Sequence, residues 1–206
     1  MKKIVCFGDS NTFGYDSVTR GRFDEKERWC GILQENICEY ALIIERGLNG
    51  RTIAFDDDFI PGRNGMNAVD DEVFAEGNID LLVIMLGTND CKSSFSAGPS
   101  IICEKMDEMT SKVLSNDSVS EVLLLSPVPM NENCAKGFMG FGADSSEISR
   151  QLAEGYRKIA EKHSIHFADT TDWGVELTND GCHYTVAGHK RFAEKITEII
   201  NEIIKG

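Results

Sequence analysis

The chain has 206 residues, 41% of them hydrophobic and 27% charged, with only 4 prolines. That is enough to bury a core without disulfides or a structural metal. A formal net charge of −13 argues against nucleic acid and anionic membrane surfaces as partners, since both would repel it. Seven cysteines (Cys6, Cys30, Cys38, Cys91, Cys103, Cys134, Cys182) are scattered without a CxxC pair, which gives no zinc framework and suits a reducing compartment.

In chain order, the opening MKKIVCFGDS turns polar too soon for the apolar region of a signal peptide. No later apolar run approaches the roughly 18 residues of a membrane span. The expectation is a soluble, cytoplasmic protein. Ile4–Phe7 reads as a first strand, and Trp29, Ile32, Leu33, Ile37 and Tyr40 then fall at helical spacing. Ala41–Ile44 is a second strand. Leu81–Leu86 is apolar throughout, as a central strand covered on both faces would be. Pro99 suits a first helical position, followed by Ile102, Met106, Met109 and Val113 on one side. Val122–Leu125 makes a fourth strand. Ile148, Leu152, Tyr156 and Ile159 mark another helix, and Ile165–Ala168 a fifth strand. Phe192, Ile196, Ile199, Ile200, Ile203 and Ile204 mark a closing helix. This alternation predicts one α/β domain over 1–206, with a parallel sheet and helices on both faces.

In such sheets ligands bind beyond the carboxyl ends of the strands, and polar blocks stand at those ends: GDSNTFG (8–14), GLNGRT (47–52) and GTND (87–90). DGCHYT (180–185) precedes the last helix. A serine hydroxyl needs a neighbouring base, and the base needs a carboxylate to hold its tautomer. Ser10 sits where a strand turns, and His183 with Asp180 supplies both partners from one loop. Asp169 and Asp172 lie near the same strand end as alternatives to Asp180. His163, His166 and His189 sit in or beside regular elements, away from such a loop. For an oxyanion, the Asn89 amide, the backbone at Gly50 and the Ser10 N–H offer three donors.

GDS near the amino terminus, Gly50, GTND and DxxH, in that order, resemble the SGNH/GDSL hydrolase superfamily. ERW (27–29), ERGLNGRT, DLLVIMLGTND followed by Lys92, and SPVP (126–129) look like its arylesterase and acyltransferase branch, which includes acetyl-xylan-esterase-like proteins. The resemblance runs from about residue 4 to residue 200. It implies a flavodoxin-like three-layer α/β/α sandwich on a five-stranded parallel sheet. It also implies a Ser10–His183–Asp180 triad with oxyanion donors from Ser10, Gly50 and Asn89, and no metal or organic cofactor. The implied reaction is hydrolysis of small carboxylic esters, in some branches of lysophospholipids or thioesters, and in a few with acyl transfer to alcohols. Similar proteins of this branch are often homo-oligomers.

Plainer readings stand beside these. Ser10 could cap a helix, Asn89 and Asp90 could stabilise a turn, and Asp9 reads as structural. Cys182 beside His183 suggests a thiol nucleophile, but adjacent loop residues point their side chains apart. Arg51 and Arg63 could meet a substrate carboxylate or phosphate, or form ion pairs around the loops. Phe13, Tyr15 and Phe95 could wall an acyl site or belong to the core. Met130–Asp144, with Phe138, Met139 and Phe141, reads as a flap over the site, an oligomer contact or a buried loop. A phosphate- or nucleotide-binding module using GDSNTFG is the competing class, although the loop has neither GxxxxGK[ST] nor GxGxxG.

Overall fold

The computed structural model describes residues 1–137 and 139–205, with the last only in its backbone; Phe138 of the glycine-rich stretch lies outside the described residues. The chain opens with strand β1 (Lys2–Gly8), a four-residue helix α1 (Ser10–Phe13), and a two-residue ribbon of β2 (Tyr15–Asp16) and β3 (Gly21–Arg22). Helix α2 (Trp29–Ile37), strand β4 (Ala41–Gly47), helix α3 (Gly65–Glu72) and strand β5 (Ile79–Met85) follow. Then come α4 (Pro99–Leu114), β6 (Val119–Leu125), α5 (Ser145–His163), β7 (His166–Ala168) and α6 (Val186–Lys205).

The main sheet is ordered β4-β1-β5-β6-β7, every pair parallel. Alternation along the strands sends side chains to two cores. Val5, Phe7, Leu82, Ile84, Val122 and Leu124 meet Val69 of α3, Met106 and Met109 of α4, and Leu152 and Tyr156 of α5. Ile4, Cys6, Leu81, Val83, Leu123 and Leu125 meet Trp29 and Leu33 of α2 and Phe192 and Ile196 of α6. The architecture is the flavodoxin-like three-layer sandwich, and all five expected strands occur within a few residues of their expected bounds.

Helix α2 ends at Ile37, short of Tyr40. Tyr40 instead turns the chain, donating its N–H to Ile37 and accepting from Lys2 at the start of β1. Two features have no clear signal in the sequence: the β2–β3 ribbon and α3, which buries only Gly65 and Val69.

The order of the sheet fixes where a site can form. From β1 the chain passes to β4 on one side, and from β4 to β5 on the other. The carboxyl ends of β1 and β5 therefore flank the switch point, where the following loops diverge and leave a crevice. GDSNTFG leaves β1 there and GTND leaves β5.

Candidate active site

Ser10 is the first residue of α1, which begins as soon as β1 ends. Gly8 is required at that exit, because a Cβ there would lie 2.1 Å from Thr12 Oγ1 and 2.9 Å from the Met85 carbonyl. Asp9 caps the turn by accepting from the Asn11 N–H at 3.0 Å, and its burial pushes its carboxyl pKa up. A helix this short leaves most of its carbonyls unmet within itself. Side chains meet them instead: Trp29 Nε1 donates to Asn11 at 2.9 Å, Cys30 Sγ to Thr12 at 3.7 Å, and Arg22 Nε to Phe13 at 2.7 Å. The turn that presents Ser10 is braced from three directions.

His183 Nε2 lies 3.0 Å from Ser10 Oγ, and His183 Nδ1 lies 2.7 Å from Asp180 Oδ2. The other Asp180 oxygen accepts the N–H groups of Cys182 and His183, each at 2.9 Å. Burial works to raise the Asp180 carboxyl, but these hydrogen bonds and the imidazole beside it prevail and hold it well below the usual carboxylate range. An ionised carboxylate only accepts, so Nδ1 carries a proton and the Nε2 lone pair faces the serine hydroxyl. Asp169 instead pairs with Arg157 at 3.2 Å, and Asp172 is exposed. His163 pairs with Asp107, His166 with Glu121, and His189 is buried against Trp29.

Asn11 joins the two loops. Its amide donates to the Cys182 carbonyl and accepts from the Tyr184 N–H, both at 3.2 Å, so it grips the backbone on either side of His183. No pattern in the sequence singles this residue out; its one signal is an amide, donor and acceptor in one side chain, directly after Ser10. Cys182 turns the other way into the core, where burial raises its thiol pKa far above the ordinary value.

Asn89 donates to the Arg51 carbonyl at 3.1 Å, and Asp90 accepts from the Ile53 N–H at 2.9 Å. These two bonds tie the block after β5 to the segment after β4. Asp90 is fully buried, which raises its carboxyl pKa to about 7. Gly50 has a φ of +79°, a left-handed conformation that favours glycine. Arg51 is buried beneath the site: it donates to the Gly8 carbonyl at 3.0 Å, pairs with Glu72, and lies 4.3 Å over the Phe7 ring.

A cleft of about 370 Å³ opens beside Ser10 and His183, walled by Tyr15, Asn49, Gly50, Ile60, Arg63, Lys92 and Met139. Of the three aromatics considered for an acyl wall, Tyr15 lines it, with its ring 4.8 Å from that of His183. Phe13 lies under Arg22 and Phe95 stacks on Phe55 at 5.0 Å; neither lines the cleft. The stretch 130–144 divides its roles: Met139 faces the cleft, whereas Met130, Cys134 and Phe141 are core. In GDSNTFG the Asn11 N–H is taken by Asp9. Among the described residues, no helix is long and apolar enough to cross a membrane.

A comparison with curated proteins finds no match by sequence. One solved structure is 31% identical over the whole of both chains, with a TM-score of 0.93. A carbohydrate acetylesterase family member from Sinorhizobium meliloti is 29% identical over the whole of both chains, with a TM-score of 0.90. The native aryl esterase of M. smegmatis is 29% identical over 98% of this chain and 99% of its own, with a TM-score of 0.89. Residues 6–191 match the profile of the GDSL-like lipase/acylhydrolase family, a span that takes in Ser10, Asn89, Asp180 and His183 together. The chain therefore belongs to that family and is a carboxylic ester hydrolase.

Proposed function

We propose that this protein is a serine esterase for short-chain carboxylic esters, aryl acetates or acetylated sugars, working through an acyl-enzyme on Ser10. The observation that carries the reading is the unbroken hydrogen-bond run from Asp180 through His183 to Ser10, at 2.7 Å and 3.0 Å, beside a cleft of about 370 Å³. Ser10 Oγ attacks the ester carbonyl while His183 Nε2 takes its proton, and ionised Asp180 stabilises the imidazolium. The oxyanion rests on the Ser10 and Gly50 N–H groups and on the amide N–H of Asn89 that Arg51 leaves over. Each such donor is worth about 10²–10³ in rate.

The alcohol departs with the proton from His183. Water then gives a proton to the same nitrogen and attacks the acyl carbonyl, releasing the acid and restoring Ser10. An alcohol in place of water gives acyl transfer by the same steps. The apolar side chains of the cleft, Tyr15, Ile60 and Met139, offer a surface for the acyl chain or an aryl leaving group. The likeness to an aryl esterase and a carbohydrate acetylesterase also favours small esters.

The test is hydrolysis of p-nitrophenyl acetate, butyrate and octanoate by wild type and Ser10→Ala. The wild type cleaves the first two well and octanoate poorly, and the variant loses all three. Full activity in Ser10→Ala removes the nucleophile assignment. A preference for octanoate removes the short-chain reading but leaves the mechanism standing.

A further inference from the structure

The cleft beside Ser10 holds a cation that no acidic group answers. Arg63 lines it together with Asn49 and Gly50. The other charged groups on these walls have partners: Lys92 pairs with Asp57 at 3.0 Å and His183 with Asp180. Arg51, next to Gly50, is turned inward to Glu72. Among the described residues Arg63 has no carboxylate partner. Its guanidinium makes one hydrogen bond, 3.4 Å from Nη1 to the Pro61 carbonyl, and its Nε is buried with no protein partner. Asn49 Oδ1 is buried in the same state, so this wall holds both an unmet donor and an unmet acceptor.

Arg63 is fixed in position by its backbone. Its carbonyl accepts from the Thr52 N–H at 2.9 Å and from Thr52 Oγ1 at 3.3 Å. The next residue, Asn64, caps α3 and donates to the Ala54 carbonyl at 3.0 Å. The arginine stem lies over the Gly50 turn, where a Cβ on Gly50 would meet its Cδ and Nε at 3.7 Å. A guanidinium held there offers a planar fork of donors that matches a carboxylate or a phosphate.

We propose that Arg63 receives an anionic group, a carboxylate or a phosphate, carried by the ester substrate within a few bonds of its scissile carbonyl. The inference rests on Ser10 being the nucleophile, and it adds the chemical class of the natural ester. The uncompensated charge then selects anionic esters over neutral ones of equal length.

Two matched ester pairs test it. p-Nitrophenyl butyrate and p-nitrophenyl hemisuccinate differ by a carboxylate at the end of the acyl chain. Phenyl acetate and 4-acetoxybenzoate differ by a carboxylate on the leaving phenol. The readout is the ratio of kcat/KM, anionic over neutral, corrected for uncatalysed hydrolysis. Arg63→Gln lowers that ratio about 10- to 100-fold for at least one pair, chiefly through KM, and Arg63→Lys falls between. A ratio unchanged for both pairs overturns a carboxylate as the group at Arg63 while the Ser10 reading survives, because the esters are still cleaved.

Calorimetric titration of Ser10→Ala with succinate and with inorganic phosphate reads the same site without turnover and separates the two anions. Binding of one of them that is lost in Ser10→Ala/Arg63→Gln supports the anion site at Arg63, and does so independently of how the ester is cleaved. Equal binding by both variants, or none by Ser10→Ala, overturns it.

Discussion

Asp180 serves two structures at once. One carboxylate oxygen closes the turn through the Cys182 and His183 N–H groups, and the other faces His183 Nδ1. Asp180→Asn separates these duties. The remaining carbonyl oxygen still closes the turn, but the amide N–H now points at Nδ1 and drives the ring proton to Nε2, where it faces Ser10. We expect kcat for p-nitrophenyl acetate to fall about 10³- to 10⁴-fold with KM and fold little changed. A variant within tenfold of wild type would remove Asp180 from the orienting role. The residues at this scale were legible in the sequence because their chemistry is local: a carboxylate three positions before an imidazole, and a serine where a strand stops. The cleft walls were not legible. Phe13 and Phe95 resemble an acyl wall by nearness to Ser10 and Asn89, yet Ile60, Arg63 and Met139 take that place, brought there by loops distant in the chain.

Helix α2 begins at Trp29 without a side-chain cap from its own N-cap residue, Arg28. The cap comes from the opposite end of the chain, where His189 of α6 accepts the Trp29 N–H on Nδ1 at 3.3 Å. Accepting there requires a neutral ring. Burial, aided by the nearby Arg28 guanidinium, pushes the His189 pKa from 6.5 down to about 4. Between those values the unfolded chain binds a proton that the folded one refuses. Stability is therefore full above about pH 6.5 and falls as acid approaches pH 4, by about 3 kcal/mol from this residue. Asp90 has the opposite sign, since its raised carboxyl pKa favours the folded state at low pH, so the comparison must be with a variant. Urea unfolding at pH 7.5 and 4.5 should show a clearly smaller acid loss in His189→Gln, and equal losses would refute the capping account. The element itself was legible from Trp29, Leu33 and Ile37, whereas its cap was not, because no pattern in the sequence announces a partner 160 residues away. Helix α3 was missed for a related reason: with Val69 and Gly65 its only buried residues, it has little amphipathic period to detect.

On the scale of the whole molecule, five parallel strands were legible because each is a short apolar run ending in a polar block, and their parallel pairing followed from the alternation with helices; the order β4-β1-β5-β6-β7 was not, since alternation leaves it open. The clasp over the site was not. Lys92 pairs through its side chain with Asp57 of the segment after β4, while its backbone bridges Phe141 of the stretch after β6. The following Ser93 N–H donates to the Gly140 carbonyl at 2.9 Å. One residue thus gathers both walls of the cleft. Lys92→Met frees the segment around Asp57, so limited proteolysis should cut between residues 53 and 64 faster, and kcat/KM should drop several-fold with the rest of the fold retained. Unchanged cleavage there would show that the segment is held without the ion pair. The grip of Asn11 on both sides of His183 has a consequence for how the protein is made. A ribosome delivers Ser10 173 residues ahead of its base, and α2 waits for α6 before its first N–H is satisfied. On the proposed mechanism, a nascent chain whose carboxyl-terminal loop has not yet been made holds Ser10 without its partner, and so should be silent toward the esters around it.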